Sequence, residues 1–109
     1  MKSITWLGDS LERLREFPAA ARQATGYQLE RVQAGLEPGN WKPMPTVGIG
    51  VGEIRVHAGG AFRVVYLARL PEAVYVLHTF QKKSRATASK DMELARRRFR
   101  ALIAERRQQ

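Results

Sequence analysis

The sequence contains no cysteine. It can therefore form no disulfide and no thiolate metal site, and it has no thiol nucleophile, so a reducing cytoplasm is the compartment that we expect. No apolar run approaches the roughly 20 residues that a membrane-spanning helix needs. Gly8, Asp9 and Glu12 interrupt the N-terminal apolar run early, so we expect no signal peptide and no contact with a membrane.

Histidine is scarce, because His57 and His78 are the only two in the chain. No carboxylate stands near either one at ligand spacing, so we expect neither a metal nor another cofactor. A Ser-His-Asp site would need a G-x-S-x-G turn or its equivalent, and none is present. The glycines at 48, 50 and 52 alternate, which is not the spacing of a dinucleotide-binding loop.

Acidic residues are few compared with basic ones, and the imbalance is local. The chain has 19 Lys and Arg against 10 Asp and Glu, for a net charge of +9. Residues 1–60 carry 7 basic and 6 acidic side chains, whereas residues 61–109 carry 12 and 4. Such a one-sided field attracts polyanions, of which nucleic acid is the commonest. The alternative is an ordinary protein with a solvated basic helix.

The apolar pattern predicts one α+β domain over residues 1–109, with the order β-α-α-β-β-β-α. We expect an antiparallel sheet packed against N-terminal helices and a C-terminal helix, all grouped on one side. Residues 37–52 contain three prolines and four glycines and are predicted to form a loop that tucks Trp41 and Met44 under the sheet. The predicted strands cover 2–7, 53–57, 61–69 and 73–80, and the predicted helices cover 10–17, 18–36 and a segment from Thr87 or Ser89 to about Arg106.

A set of cationic side chains lies on the predicted strands or directly after the last one. Arg55 and His57 are two residues apart and therefore emerge on the same face of their strand. Arg63 lies inside the apolar strand FRVVY, where a charge is costly unless it faces a polar cleft or a partner. A buried ion pair with Glu53 or Glu72 is the structural alternative for Arg63. The full set is Arg55, His57, Arg63, Lys82, Lys83 and Arg85.

These residue types suit RNA cleavage by the ribose 2′-hydroxyl. That reaction needs a proton acceptor, a proton donor and cations that stabilise charge on the phosphate. RNA provides its own nucleophile, so the absence of a suitable Ser or Cys is no obstacle. Arginine serves as a stabiliser, and histidine or lysine can transfer protons. His78 can equally be a half-buried structural residue.

Four motifs together resemble the RelE/ParE superfamily of type II toxins, in its phage-derived HigB-like branch. The resemblance covers nearly the whole chain, and a helix rich in Ala and Arg follows the motifs. The motifs are WKPMP (41–45), the GxGVxEIR pattern that ends at Arg55, GAFRVVY (60–66) and VYVLHTFQKKS (74–84).

The resemblance implies an mRNA interferase that acts on mRNA in the ribosome and is neutralised by an antitoxin of helix-turn-helix type. It places Arg55, Arg63 and Lys82 in a catalytic set, with His57 less surely matched. A tyrosine that some relatives carry in the C-terminal tail has no counterpart after Tyr75. A ParE-type inhibitor of DNA gyrase and a basic RNA-binding module without catalysis are the alternatives.

The predicted roles divide the cations into two groups. We expect Arg55 and Arg63 to bind the scissile phosphate and His57 or Lys82 to transfer protons. An Arg63→Ala variant should then stay folded and lose toxicity. For each arginine of the C-terminal helix, a solvated face is at least as good an interpretation as RNA contact. The residues predicted to bind RNA are Lys83, Arg85, His78, Arg96 and Arg97.

Overall fold

The computed structural model of the chain describes residues 1–84 and 88–108. The chain forms five strands and three helices in the order β1-α1-α2-β2-β3-β4-β5-α3, which confirms the predicted α+β class. The strands are β1 (Ser3–Trp6), β2 (Trp41–Pro43), β3 (Val51–His57), β4 (Ala61–Leu67) and β5 (Ala73–Lys82). The helices are α1 (Ser10–Arg15), α2 (Ala19–Gln33) and α3 (Ser89–Arg107).

The sheet is mixed, so the expectation of a purely antiparallel sheet is wrong in one pair. Its strand order is β1-β5-β4-β3-β2. Strands β2 to β5 pair in antiparallel fashion, but β1 runs parallel to the first residues of β5, with Ser3 opposite Ala73 and Trp6 opposite Val76. No hairpin joins β1 to β5, so no local turn signal in the sequence fixes the direction of this pair.

Strand β2 was missed, because it lies inside the proline- and glycine-rich segment. It pairs three residues of that segment with Gly52 to Ile54 and forms one edge of the sheet, where proline is tolerated. Trp41 packs partly buried against one hydrophobic cluster, while Met44 is buried in another. The two side chains therefore lie in different layers of the core.

The helices cover both faces of the sheet, which corrects the expectation that they group on one side. One cluster joins α2 to the sheet through Ala21, Leu29 and Val32, and the other joins α3 through Ala95 and Leu102. The strand β4 shows why, since Phe62 to Leu67 are all buried. A strand buried on both sides needs cover on both sides. We call these sides the α2 face and the α3 face.

Local sequence signals predict the hairpin turn better than they predict the N-cap residues of the helices. The hairpin between β3 and β4 turns at Gly59 and Gly60, whose φ angles of 72° and 152° favour glycine. Asp9 occupies the N-cap position of α1 but makes no capping hydrogen bond. Helix α3 has Ala88 at its N-cap and begins at Ser89, and the other predicted cap, Thr87, lies outside the described residues.

Candidate functional site

The hairpin register brings together the four residues that were predicted to be catalytic. Across β3, β4 and β5, one row of directly paired residues is Arg55, Arg63 and Phe80. The next row is His57, Ala61 and Lys82. Paired residues, and residues two apart on one strand, share a face of a sheet, so both rows lie on the α3 face. We call Glu53, Arg55, His57, Arg63 and Lys82 the sheet-face cluster.

A buried carboxylate lies at the centre of this cluster. Oε1 of Glu53 is 3.7 Å from Nε of Arg55 and 3.7 Å from Nε of Arg63. The side chains of Glu53 and Arg63 are only 2% and 6% exposed, whereas that of Arg55 is 33% exposed. The ion pair with Glu53 is therefore the environment of Arg63, as the structural alternative proposed, and Arg55 is the arginine that reaches solvent.

The three charged groups keep unused hydrogen-bonding capacity. Oε2 of Glu53 and both arginine Nε atoms are buried without a hydrogen-bond partner among the described residues, while Nη1 of Arg63 donates to the carbonyl of Phe62 at 3.0 Å. Burial lowers the pKa of the Arg63 guanidinium, and the Glu53 carboxylate opposes that shift. Arginine still remains charged. The arrangement holds two cations beside each other at the price of an incompletely satisfied carboxylate.

His57 and Lys82 flank a small side chain on the outer row. Ala61 separates them, so their strands lie two spacings apart, or about 10 Å. His57 is exposed and Lys82 is half-buried. Neither forms a hydrogen bond or an ion pair within residues 1–84 and 88–108. The row therefore presents a histidine and a lysine on either side of a small alanine side chain.

Lys82 also borders a cleft of about 470 Å³ at the edge of the sheet. β1 pairs only with Ala73 to Val76 of β5, and the cleft lies farther along β5, between the end of α1 and the start of α3. Lys83, one of the residues predicted to bind RNA, lines this cleft and is exposed. Two adjacent lysines thus line the same cleft.

His78 does not face solvent, so its predicted contact with RNA is wrong for this structure. The residue is 0% exposed and stacks on Phe80 with ring centroids 5.0 Å apart. Its Nε2 lies 2.7 Å from Oδ1 of Asp91 at the start of α3, and its Nδ1 has no hydrogen-bond partner. Burial lowers the pKa of His78, and the hydrogen bond to Asp91 opposes the shift. The structural alternative holds for this histidine.

The remaining predicted RNA contacts differ from one another. Arg96 donates from Nε to the carbonyl of Thr46 at 2.9 Å and forms an ion pair with Glu93. Arg97 is exposed and forms neither kind of contact in the described part of the chain. Arg85 lies outside the described residues. The adjacent arginines 96 and 97 therefore have different environments, which their positions in the sequence did not separate.

Glu53 is the site residue to which sequence reasoning gave no functional role. It was considered only as the partner of Arg63, although it is separated by a single residue from Arg55. The signal that could have found it is the register of the hairpin at Gly59 and Gly60, which sets Arg55 opposite Arg63. Two arginines side by side on a buried face need a counter-charge, and Glu53 is the acidic side chain on that face of β3.

Comparison with known families adds a direct finding. Residues 12–100 match the family described as phage derived protein Gp49-like (DUF891). The chain belongs to this family. Gp49-like proteins form a RelE-like, toxin-like family, which agrees with the fold and with the coarser part of the resemblance. No curated protein matches the chain.

Family membership makes this Gp49-like chain a phage-derived, toxin-like protein, and it suggests an antitoxin as a partner. Among residues 1–84 and 88–108, no helix is long and apolar enough to cross a membrane. The same residues contain no group of three or more His, Cys, Asp or Glu side chains placed to hold a metal ion.

Proposed function

We propose that this Gp49-like protein is the toxin of a type II toxin–antitoxin pair, in the HigB-like branch, and that it cleaves mRNA on the ribosome in the cytoplasm. One observation carries the proposal: the hairpin register gathers Arg55, His57, Arg63 and Lys82 on one face of the sheet. These are the cations and proton-transfer groups that cleavage of a phosphodiester requires.

The reaction is a transfer within the RNA. The ribose 2′-oxygen forms a bond to phosphorus, and the bond from phosphorus to the 5′-oxygen of the next nucleotide breaks. The products are a 2′,3′-cyclic phosphate and a free 5′-hydroxyl. One protein group takes the proton of the 2′-hydroxyl and another gives a proton to the leaving 5′-oxygen, so that no metal and no external oxidant or reductant takes part.

The geometry supports a division of these roles. His57 and Lys82 flank Ala61 from opposite sides, and in-line attack needs the proton acceptor and the proton donor on opposite sides of phosphorus. We assign His57 as the acceptor and the Lys82 ammonium as the donor. Arg55, with a third of its side chain exposed, binds the phosphate oxygens from the adjacent row.

Arg63 and Glu53 act one step farther from the RNA. Both side chains are almost completely buried, so Glu53 serves as a positioning residue that fixes the two guanidiniums, and Arg63 adds positive charge from below. A cation in a poorly hydrated site stabilises growing phosphate charge more strongly than the same cation in water. This assignment differs from direct phosphate binding by Arg63.

The experiment is induced expression in a bacterial host, with primer extension on abundant mRNAs. We expect His57→Ala and Lys82→Ala each to lower cleavage by about 10²- to 10⁴-fold, because each removes a proton-transfer group without emptying the core. Arg22→Ala is the matched control, since Arg22 is an exposed cation on α2, over the opposite face of the sheet, without an ion pair or hydrogen bond from its side chain among the described residues.

The alternatives give different results in the same cells. Growth arrest with intact mRNA and broken DNA would replace the nuclease with a ParE-type gyrase inhibitor. Cleavage that survives both substitutions would overturn the assignment of roles. RNA binding without arrest or cleavage would leave a non-catalytic module. Co-expression of a neighbouring helix-turn-helix antitoxin should restore growth under either toxin activity.

A further inference from the structure

The structure sorts the seven basic residues of α3 into two groups. Three arginines bind the body of the protein: Arg96 pairs with Glu93 and Thr46, Arg98 with Asp9 and Leu77, and Arg106 with Glu72. The other four basic side chains are exposed and have no hydrogen bond or ion pair in the described part of the chain. They are Lys90, Arg97, Arg100 and Arg107.

These four residues, which we call the α3 ridge, form an extended surface of one sign. From Lys90 to Arg107 the helix rises about 26 Å. The acidic residues exposed on α3 offset little of this charge, because Glu93 is paired with Arg96 and only Glu105 remains. The ridge therefore suits an extended polyanion better than a single small anion.

The surface lacks the features of a protein-binding site. None of the exposed large hydrophobic residues of the described chain belongs to α3; they are Met1, Tyr27, Leu36 and Ile49. Between the cations, the ridge exposes the small side chains Ala101 and Ala104. Protein interfaces are centred on buried aromatic or aliphatic anchors, whereas nucleic-acid interfaces are polar and positively charged. The chemistry thus favours a phosphate backbone over an acidic protein.

We propose that the α3 ridge docks the protein on the phosphate backbone of folded RNA, with Lys90 lining the same cleft as Lys82 and the three arginines following along the helix. The inference rests on the proposed function, because it presumes that RNA is the substrate or its carrier. It differs from that function in mechanism, since the ridge contributes affinity and no proton transfer. Arginine on a rigid helix contacts phosphates without reading base sequence.

The test measures binding of a short fluorescein-labelled RNA hairpin by fluorescence anisotropy over a range of salt concentrations. The variant Arg97→Gln/Arg100→Gln/Arg107→Gln keeps good helix formers on α3. Three lost phosphate contacts should lower the slope of log affinity against log salt by about 2 to 3, and should weaken binding about 100-fold near 0.1 M salt.

The matched control is Arg15→Gln/Arg22→Gln/Lys42→Gln, which removes the same charge from exposed, unpaired side chains on α1, α2 and β2. We expect it to keep nearly the wild-type slope. If both triple variants lose the same affinity and salt slope, the effect depends on net charge alone and the proposal is overturned. A wild-type salt slope in the α3 variant would also overturn it. If that variant instead loses binding of poly-glutamate, the ridge binds an acidic protein and not RNA.

The same assay separates this inference from the proposed nuclease. The His57→Ala protein, which keeps every Lys and Arg, should bind the hairpin with the wild-type salt slope while its cleavage of mRNA falls. If wild-type protein cleaves no RNA but the α3 variant alone loses hairpin binding, the proposed nuclease is wrong and the ridge stands. If the α3 variant binds like wild type while cleavage persists, the ridge is wrong and the nuclease stands.

Discussion

The two faces of the sheet carry different kinds of residue. On the α2 face, β3 and β4 present Ile54, Val56, Phe62, Val64 and Tyr66, all in one apolar cluster with α2. On the α3 face, the same two strands present Glu53, Arg55, His57 and Arg63 at the end nearer the hairpin. Large apolar residues such as Val65 and Leu67 occupy the α3 face at the other end of β4, in the cluster that also contains Ala95 and Leu102 of α3.

The two faces therefore have different roles: the α2 face stabilises the fold, and the charged end of the α3 face carries the proposed chemistry. The α2 face can be packed by shape and apolar area alone, and its free energy comes from burial. The charged end of the α3 face loses some of that burial energy, because Glu53 and Arg63 are desolvated with hydrogen-bonding capacity unused. Stability alone does not require these charged residues, and the proposed site accounts for them.

The largest effect should follow from emptying the α2 face. Phe62 is 1% exposed and its ring lies 4.5 Å from that of Phe17. Phe62→Ala should lower the free energy of unfolding by about 3 to 5 kcal/mol, because it removes buried area and leaves a cavity. Chemical denaturation would measure it, with exposed Tyr27→Ala on α2 as the control. A loss below about 1 kcal/mol would contradict the view that this face supplies the stability.

A smaller loss should follow on the charged face. Arg63→Ala leaves Glu53 buried with Arg55 as its remaining partner, so it should lower the free energy of unfolding by about 2 to 3 kcal/mol. The sequence predicts that Arg63→Ala stays folded and loses toxicity, and a partial loss of stability adds a second route to that loss. A loss of toxicity in that variant would therefore not distinguish a role in chemistry from a role in stability.

The double variant Glu53→Gln/Arg63→Met sharpens the point. It removes both buried charges while keeping similar side-chain volume, so denaturation should show most of the lost stability restored. RNA cleavage should stay low, because the charge below Arg55 is gone. Full stability in Arg63→Ala alone would mean that Glu53 does not depend on Arg63.

Local patterns predicted most of the fold. Alternation, the turn at Gly59 and Gly60 and the apolar stripe of α3 placed four strands and the helices correctly to within a few residues. Strand β2 and the parallel pairing of β1 are set by contacts between distant segments, which no local pattern contains. The sequence also contains the signal that helices cover both faces of the sheet. From Phe62 to Leu67 nearly every residue is apolar, whereas a strand buried on one face alternates apolar and polar residues.

The sequence predicted which residues belong to the candidate site but not how their side chains are arranged. Strand parity placed Arg55 and His57 together, and the cost of burying Arg63 singled it out correctly. Burial separated the residues that spacing could not: His78 is buried, Arg96 is bound to Thr46, and Arg97 is free to contact a partner. These differences depend on where α3 crosses the sheet, and a helical wheel without that contact does not give them.

The smallest effect concerns the buried histidine of the α3 face. The pKa of His78 is lowered by burial, more than its hydrogen bond to Asp91 raises it, and Arg98 and Arg13 lower it further. The folded-state pKa therefore lies below 6.5, the ordinary value. As the pH falls through 6.5, the unfolded chain takes up a proton at His78 that the folded chain does not. The free energy of unfolding should then decrease, by no more than about 1.4 kcal/mol per pH unit, until the folded pKa is reached.

Denaturation between about pH 7.5 and 5 measures this slope. His78→Gln, whose amide can still donate to Asp91, should flatten the slope, while Tyr27→Ala, an exposed substitution on α2, should keep it. Asp9 and Glu72, whose pKa values are both lowered to about 2 by hydrogen bonds to arginines, lose their contribution only at pH values below this range. An unchanged slope in His78→Gln would show that another group is responsible, and the charged face would then be insensitive to pH in this interval.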